Sequence, residues 1–365
     1  MMQAQRLRKW RHCWLRPATL AAAVLFCMAC SSTNPYYDPA KPHHTPQGFQ
    51  NNYLTSEIGG SFVKWQWERW RDGLPRPPAE GSVFPVHRPD IKWLQTNRSQ
   101  TTATWIGHAS VLVQTGGVNF LTDPIFSERA SPVKWAGPQR KMAPAIALAE
   151  LPHIDVVMIS HNHYDHLDKD SVLALHAQSG GPPLFLVPLG VKAWMRENGI
   201  HHVRELDWWQ SVSVAGIDIH FVPVQHWSAR GVTDRFVTLW GGWFVKSTGP
   251  EKDKAFSFFF AGDTGYSKDF ADIYQRLGSV DLALLPIGAY APRWFMQTQH
   301  INPAEAVRIH QDLHAKQSLA IHWGTFELAD EPLDEPPRAL AQALRAADIA
   351  PARFVVLPHG GMLQF

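Results

Sequence analysis

A layered α/β domain is predicted for residues 98–365, preceded by a leader over 1–29 and a linker with an N-terminal extension over 30–97. Three observations carry that reading. From Asn97 onward, apolar strand-like runs alternate with helical patterns, as they do where helices layer onto a sheet. The run "IDVVMIS", residues 154–160, is apolar and β-branched, as suits a parallel strand buried on both faces. Histidines and aspartates then recur where such runs give way to loops, and sites in layered α/β folds gather at such ends.

The leader has a basic part, "RLRKWRHCWLR", an apolar part, "ATLAAAVLFCMAC", and then polar "SSTNPYYDP". Its 13 apolar-part residues are fewer than the ~20 a helix needs to cross a bilayer, so the segment reads as a secretory signal. The ending "FCMAC" resembles the lipobox of bacterial lipoproteins, with Ala29 before Cys30 but Cys27 where that box usually carries leucine. The resemblance implies lipidation of Cys30 and, with Ser31 following, an exported protein anchored by its lipid on the periplasmic face of the outer membrane. Cys13, Cys27 and Cys30 are the chain's 3 cysteines, which leaves the body without a disulfide or a thiolate for chemistry. Removing the leader's Arg6, Arg8, Lys9, Arg11 and Arg16 takes the formal charge from +2 to −3, which argues against a nucleic-acid partner. A chain of 365 residues that is 45% hydrophobic has ample material for a core.

In the extension, "FVKWQWERWRDG" sets Trp65, Trp67 and Trp70 among Lys64, Arg69 and Arg71. Tryptophan beside basic side chains suits a membrane interface, and more often such aromatics pack on the main domain. The stretch "TATWIGHASVLVQTGGVNFLTDP" reads as two strands joined by Thr115-Gly116-Gly117. After "IDVVMIS" come strands in "PLFLVP", "IDIHFVPV", "FSFFFAG", "VDLALLPIG", "SLAIHW" and "RFVVLP", with helices predicted over 188–198, 267–277, 303–315 and 335–347.

The densest chemistry follows "IDVVMIS". His161, His163, Asp165 and His166 form H-x-H-x-D-H on a strand-to-loop turn, which can fan neighbouring side chains about a point where a strand would alternate them. Neutral imidazoles with a carboxylate suit zinc and its neighbours, and four adjacent donors exceed the roughly three that a single catalytic metal takes. Downstream, His226, Asp263 and His322 each emerge as a strand ends. The inventory is then His161, His163 and His226 for one metal, Asp165, His166 and His322 for another, and Asp263 bridging.

H-x-H-x-D-H, a later His, the Asp of "AGDTGY" and the His of "AIHWGTF" resemble the metallo-β-lactamase superfamily, which implies an αβ/βα sandwich. "WIGHAS", "LTDPIFSERASP", "ISHNHYDHLD", "ELDWWQ", "FFFAGDTGY" and "PIGAYAPRWFMQTQHINPAEAVRIH" resemble, more narrowly, the N-acylphosphatidylethanolamine-hydrolysing phospholipase D family, from about Trp105 to Phe326. The resemblance implies a di-zinc phosphodiesterase that releases phosphatidic acid and an N-acylethanolamine from a phospholipid, with Asp165, Asp263 and His300 in catalysis. His300 of "TQHINPAEAV" matches a family histidine near the site and is the candidate for the leaving group. Asp123 of "LTDP" is the candidate to accept a ligand imidazole's other N–H. His108 and His359 end strands without declaring a role, and Arg293 and Trp294 suit either substrate contact or packing. Two other classes remain: another hydrolase of the superfamily, and a structural or binding lipoprotein. Asp263, where zinc β-lactamases carry cysteine, speaks against a β-lactamase.

Overall fold

The computed structural model describes residues 33–53, 62–74, 84–247 and 255–365; the leader and Cys30 lie outside the described residues. A small hairpin, β1 (His44–Thr45) and β2 (Gly48–Phe49), opens the described chain. The body holds two seven-stranded mixed sheets. In the first half run β3 (Thr102–Gly107), β4 (Ser110–Thr115), β5 (Val118–Thr122), β6 (Val156–Met158), β7 (Leu184–Pro188) and β8 (Val203–Leu206). In the second run β9 (Ser211–Val214), β10 (Ile217–Val222), β11 (Gly242–Ser247), β12 (Ser257–Phe260), β13 (Leu282–Pro286), β14 (Gln317–Ile321) and β15 (Phe354–Val355). The final strand, β16 (Met362–Gln364), returns to pair antiparallel with β3 at the edge of the first sheet.

Each sheet is parallel at one end and antiparallel at the other. Strands β5 to β8 are parallel, as are β12 to β15, while β3 to β5 and β9 to β12 are antiparallel neighbours. The strand period of two sorts the side chains into layers. Val156 and Met158 of β6 join Phe120, Trp105, Phe258 and Trp243 in the core between the sheets, with Phe120 and Phe258 edge to face at 5.6 Å. Val157 and Ile159 face the other way, onto Val172, Leu175, Val191 and Met195 of the helices Lys169–His176 and Val191–Glu197. The helices Asp269–Leu277, Pro303–Asp312 and Glu335–Ala346 pack on the second sheet through Phe270, Ile273, Val307, Ile309, Leu340 and Leu344. The result is the αβ/βα sandwich.

The expected strands and helices are present, β8, β9, β11 and β16 are further strands that the apolar runs did not single out, and one expected pair needs correction. "TATWIGHASVLVQTGGVNFLTDP" forms three strands, not two, because Gly107-His108-Ala109 is itself a turn, with His108 at φ 51. Most of the strands of interest share a direction, so β3, β5, β6, β10, β12, β13 and β14 all end at one rim of the sandwich.

The tryptophans of the extension divide their roles. They lie on the helix Phe62–Asp72, where Trp65 is buried and stacks on Phe295 at 4.9 Å, while Trp67 and Trp70 are 55% and 75% exposed.

Candidate metal centre

The loop after β6 turns sharply: the N–H groups of His166 and Leu167 both donate to His163 O, at 3.1 and 2.8 Å, which swings the cluster's side chains about one point. The end of β12 comes against it through Gly262, at φ +62. A Cβ there would meet Ser160 Cβ at 2.4 Å, so only glycine lets Asp263 approach the loop this closely. From β14, His322 arrives at φ 59 with its N–H on His108 O at 2.9 Å, tying the two sheets at the rim.

Two adjoining donor groups result. In the first, His163 Nδ1 lies 2.8 Å from His161 Nε2 and 3.4 Å from His226 Nε2. In the second, Asp165 Oδ2 lies 3.2 Å from His166 Nε2 and 3.4 Å from His322 Nε2, and those two nitrogens are 3.2 Å apart. Asp263 stands between the groups, its Oδ2 3.1 Å from His166 Nε2 and 4.0 Å from His226 Nε2, its Oδ1 3.0 Å from His322 Nε2. His108, whose role the sequence left open, joins the second group with Nε2 3.1 Å from Asp165 Oδ2.

The chemistry of these donors fits metal ions. Three imidazoles have their outer nitrogen committed as a donor: His166 Nδ1 to Asp123 Oδ2 at 2.7 Å, His226 Nδ1 to Gln299 O at 2.8 Å, and His161 Nδ1 to Ser160 Oγ at 2.8 Å. The Ser160 hydroxyl is itself spent on Asp123 Oδ2 at 2.5 Å, so it must accept from His161. Rings so tied turn Nε2 inward, toward His163 Nδ1 at 2.8 and 3.4 Å and toward the Asp263 carboxylate at 3.1 Å, contacts that a shared proton or a metal ion can hold. His163 Nε2, Asp263 Oδ1 and His322 Nδ1 are buried and form no hydrogen bond.

Electrostatics agree. Burial holds His161 and His226 well below the ordinary imidazole value and His163 at about 4, which keeps them neutral and able to ligate. Burial would push His166 and His322 down as well. The Asp263 and Asp165 carboxylates outweigh it, holding His166 well above the ordinary value and His322 at about 9. A site that draws protons onto buried imidazoles between two carboxylates is one built for positive charge.

The remaining expected residues fall at different depths. Asp123 sits behind His166 and Ser160, fully buried. His300 puts Nδ1 3.7 Å from Asp263 Oδ2, and burial lowers it to about 4. Arg293 does not face the centre: it donates to His300 O at 2.8 Å and pairs with Glu305 at 2.8 Å, bracing the loop that carries His300. Trp294 lies under Lys64, 4.4 Å from ring to Nζ. His359 is a core residue packed on Trp105 at 4.2 Å. Sequence reasoning missed Ser160, Gln299 and Asn51, which act through backbone or hydroxyl contacts that carry no residue-type signature.

Histidines and carboxylates gathered at one rim of an αβ/βα sandwich make a candidate metal centre, and the chain's relatives make it a metal-dependent hydrolase. Residues 118–323 match the family model described as beta-lactamase superfamily domain, and the chain belongs to that superfamily. It is 40% identical over 292 residues, 76% of this chain and 80% of the other, to the N-acyl-phosphatidylethanolamine-hydrolyzing phospholipase D 1 of Caenorhabditis elegans. It is 42% identical over 334 residues, 90% of this chain and 84% of the other, to an uncharacterized protein of Mycobacterium tuberculosis. Among solved structures, a possible metal-dependent hydrolase of Veillonella parvula shares the fold with a TM-score of 0.58 at 15% identity, covering 73% of this chain and 100% of that one.

Proposed function

We propose that the chain is a two-zinc phosphodiesterase of phospholipase D type, hydrolysing N-acylphosphatidylethanolamine-like phospholipids to phosphatidic acid and an N-acylethanolamine. The observation that carries the reading is the pair of donor groups sharing Asp263, with His300 beside that carboxylate. The identity with the Caenorhabditis elegans enzyme supports the substrate class.

When bound, divalent metal supplies Lewis-acid charge and an activated water at such a centre. The chain's residues do the rest. Asp123, Ser160 and Gln299 hold the outer nitrogens of His166, His161 and His226, so Nε2 is the nitrogen each ring turns toward a metal. Water's oxygen forms a bond to phosphorus, the bond from phosphorus to the ethanolamine oxygen breaks, and the proton that the attacking water gives up ends on that leaving oxygen. His300, neutral in the buried site, gains affinity for a proton beside the phosphodiester's negative charge and passes it to the leaving oxygen.

Two further features support a lipid substrate. The helix Phe62–Asp72 presents Phe62, Val63, Trp67 and Trp70 outward while Trp65 anchors it on Phe295, on the stretch that leads to His300. Among the described residues no helix is long and apolar enough to cross a membrane. The exposed aromatic face suits engagement at a membrane surface, aided by a lipid on Cys30 at the periplasmic face of the outer membrane.

The test is hydrolysis of N-acylphosphatidylethanolamine in vesicles by purified protein, with products identified by mass spectrometry. Phosphatidic acid and N-acylethanolamine should form, vanish with chelator and return with zinc. Metal-replete protein that leaves the lipid intact, or that releases diacylglycerol, would overturn the assignment.

A further inference from the structure

Residues 33–53 lie along the body as a strap, fastened at several points. The Tyr36 hydroxyl donates to Glu205 at 3.2 Å, on the first sheet's edge strand β8. Just beyond that strand, Asp207 takes Lys41 Nζ at 2.7 Å, His43 Nε2 at 2.7 Å and His44 Nε2 at 3.0 Å. The Phe49 N–H then donates to Phe236 O at 2.9 Å. At the strap's end, Asn51 grips the main chain of His226: its Nδ2 donates to His226 O at 2.9 Å, and its Oδ1 accepts from His226 N at 3.1 Å and from Trp240 Nε1 at 3.0 Å.

We infer that this strap is a working part of the metal centre, with Asn51 the positioning residue that aims His226. The ladder between β10 and β11 stops at Val222, four residues short of the ligand. Beyond it, both backbone polar groups of His226 are satisfied by one side chain 175 residues away in sequence. His226 is 1% exposed, so without Asn51 its N–H and C=O lose their partners out of reach of bulk water, and the loop must rearrange. The ring is held separately, by Nδ1 on Gln299 O. Main chain and ring pinned together leave Nε2 one direction, toward His163 and Asp263. The grip needs one donor and one acceptor on a single short side chain, which asparagine has and aspartate and leucine lack.

The consequence is selective. His161 and His163 belong to the β6 loop, and His166 is held by Asp123; none of these touches the strap. Loss of the Asn51 grip therefore weakens the metal held by His161, His163 and His226 and spares its neighbour. The clamp on Asp207 holds the strap in place, so breaking it acts on the same metal from a distance.

This inference rests on the two-metal reading, and the experiment separates the two. Metal affinity of the full chain is measured by competition with a chromophoric chelator, with cobalt absorption reporting occupancy, for wild type, Asn51→Asp and His44→Gln. The wild type should take two equivalents. Asn51→Asp should bind one of them 10 to 100-fold more weakly, about the cost of losing a residue that orients a ligand, and the other unchanged. His44→Gln should weaken the same equivalent by a smaller factor, and it decides the matter if Asn51→Asp does not fold. Both equivalents bound as in the wild type, or both weakened alike together with a lower melting temperature of the metal-free protein, would overturn the inference. A wild type that binds one equivalent would overturn the two-metal reading instead.

Discussion

Asp123→Asn is the sharpest probe of how the buried carboxylate behind the centre works. Asp123 takes three donors: Ser160 N on Oδ1 at 2.7 Å, and Ser160 Oγ at 2.5 Å and His166 Nδ1 at 2.7 Å on Oδ2. Asparagine keeps the size and the oxygen for Ser160 N, but sets an NH₂ group opposite the other two. The Ser160 hydroxyl can rotate and accept, still taking the proton of His161 Nδ1. His166 cannot rotate, because both residues are fully buried. Its proton must move from Nδ1 to Nε2, the nitrogen that faces Asp263 and Asp165.

The second donor group then loses a ligand while the first keeps all of its own. Replacing a residue that orients a ligand typically costs 10 to 100-fold in metal affinity, which is about 1.4 to 2.7 kcal/mol at ~1.36 kcal/mol per decade. The lower figure applies if Nε2 can still tip its proton aside, the upper if the ligand is lost outright. The same chelator competition measures it. On the proposed two-metal reading, one equivalent should weaken by that factor, and it should be the equivalent that Asn51→Asp spares. Wild-type affinity for both metals in a folded Asp123→Asn protein would refute the tautomer argument.

Three other outcomes are expected. His300→Ala should cut turnover of a phosphodiester with a poor alcohol leaving group by about 10² to 10⁴ and spare a nitrophenyl diester, with metal content unchanged; equal losses on both substrates would assign His300 to phosphate positioning. Burial, helped by Arg140, holds His359 at about 4, so the neutral form is favoured in the fold: its contribution is present above pH 6.5 and is lost as pH falls toward about 4. His359→Gln should therefore flatten the acid limb of unfolding free energy by about 3 kcal/mol over that window, by ~1.36 kcal/mol per pH unit, as read by denaturant titration at several pH values. Gly262→Ala should destabilise the protein by at least about 1 kcal/mol and lower metal affinity as well, since its Cβ would meet Ser160 Cβ at 2.4 Å at φ +62.

Much of this centre is legible in the chain because its ligands sit at strand ends, where residue type and hydrophobic run meet. His226, Asp263 and His322 stand out for that reason. His108 ends a strand too, but its Nε2 reaches Asp165 only because β3 and β6 end at the same rim, which strand order decides. The missed turn at Gly107-His108-Ala109 hid in a run from Trp105 to Val113 in which only His108 and Ser110 are polar. The tryptophans show the opposite case. Once a helix is assigned, spacing alone separates them: Trp65 and Trp67, two apart, lie on nearly opposite faces, and Trp67 and Trp70, three apart, share one. Asn51 and Gln299 were beyond reach, because a backbone carbonyl and a lone amide in a segment that reads as a linker carry no pattern.

The candidate donors also divide by sheet, and that division has an energetic meaning. His161, His163, Asp165 and His166 hang from β6 of the first sheet, whereas His226, Asp263 and His322 follow β10, β12 and β14 of the second. Each donor group draws on both sheets, so any ion bound there cross-links the rim of the sandwich. His166 and His322 already approach Asp263 at 3.1 and 3.0 Å, contacts that a proton held between the partners can bridge. Metal replaces the proton and holds more donors at once, and a ligand bound only by the folded state stabilises it in proportion to the logarithm of its concentration over its dissociation constant. Chelation should accordingly lower the melting temperature, and amide exchange should accelerate first at the strand ends around Ser160, Gly262 and His322, while the Phe120–Phe258 core keeps its protection. The strap that carries Asn51 fastens this same rim from outside, so losing the strap and losing the metal should each make the other easier.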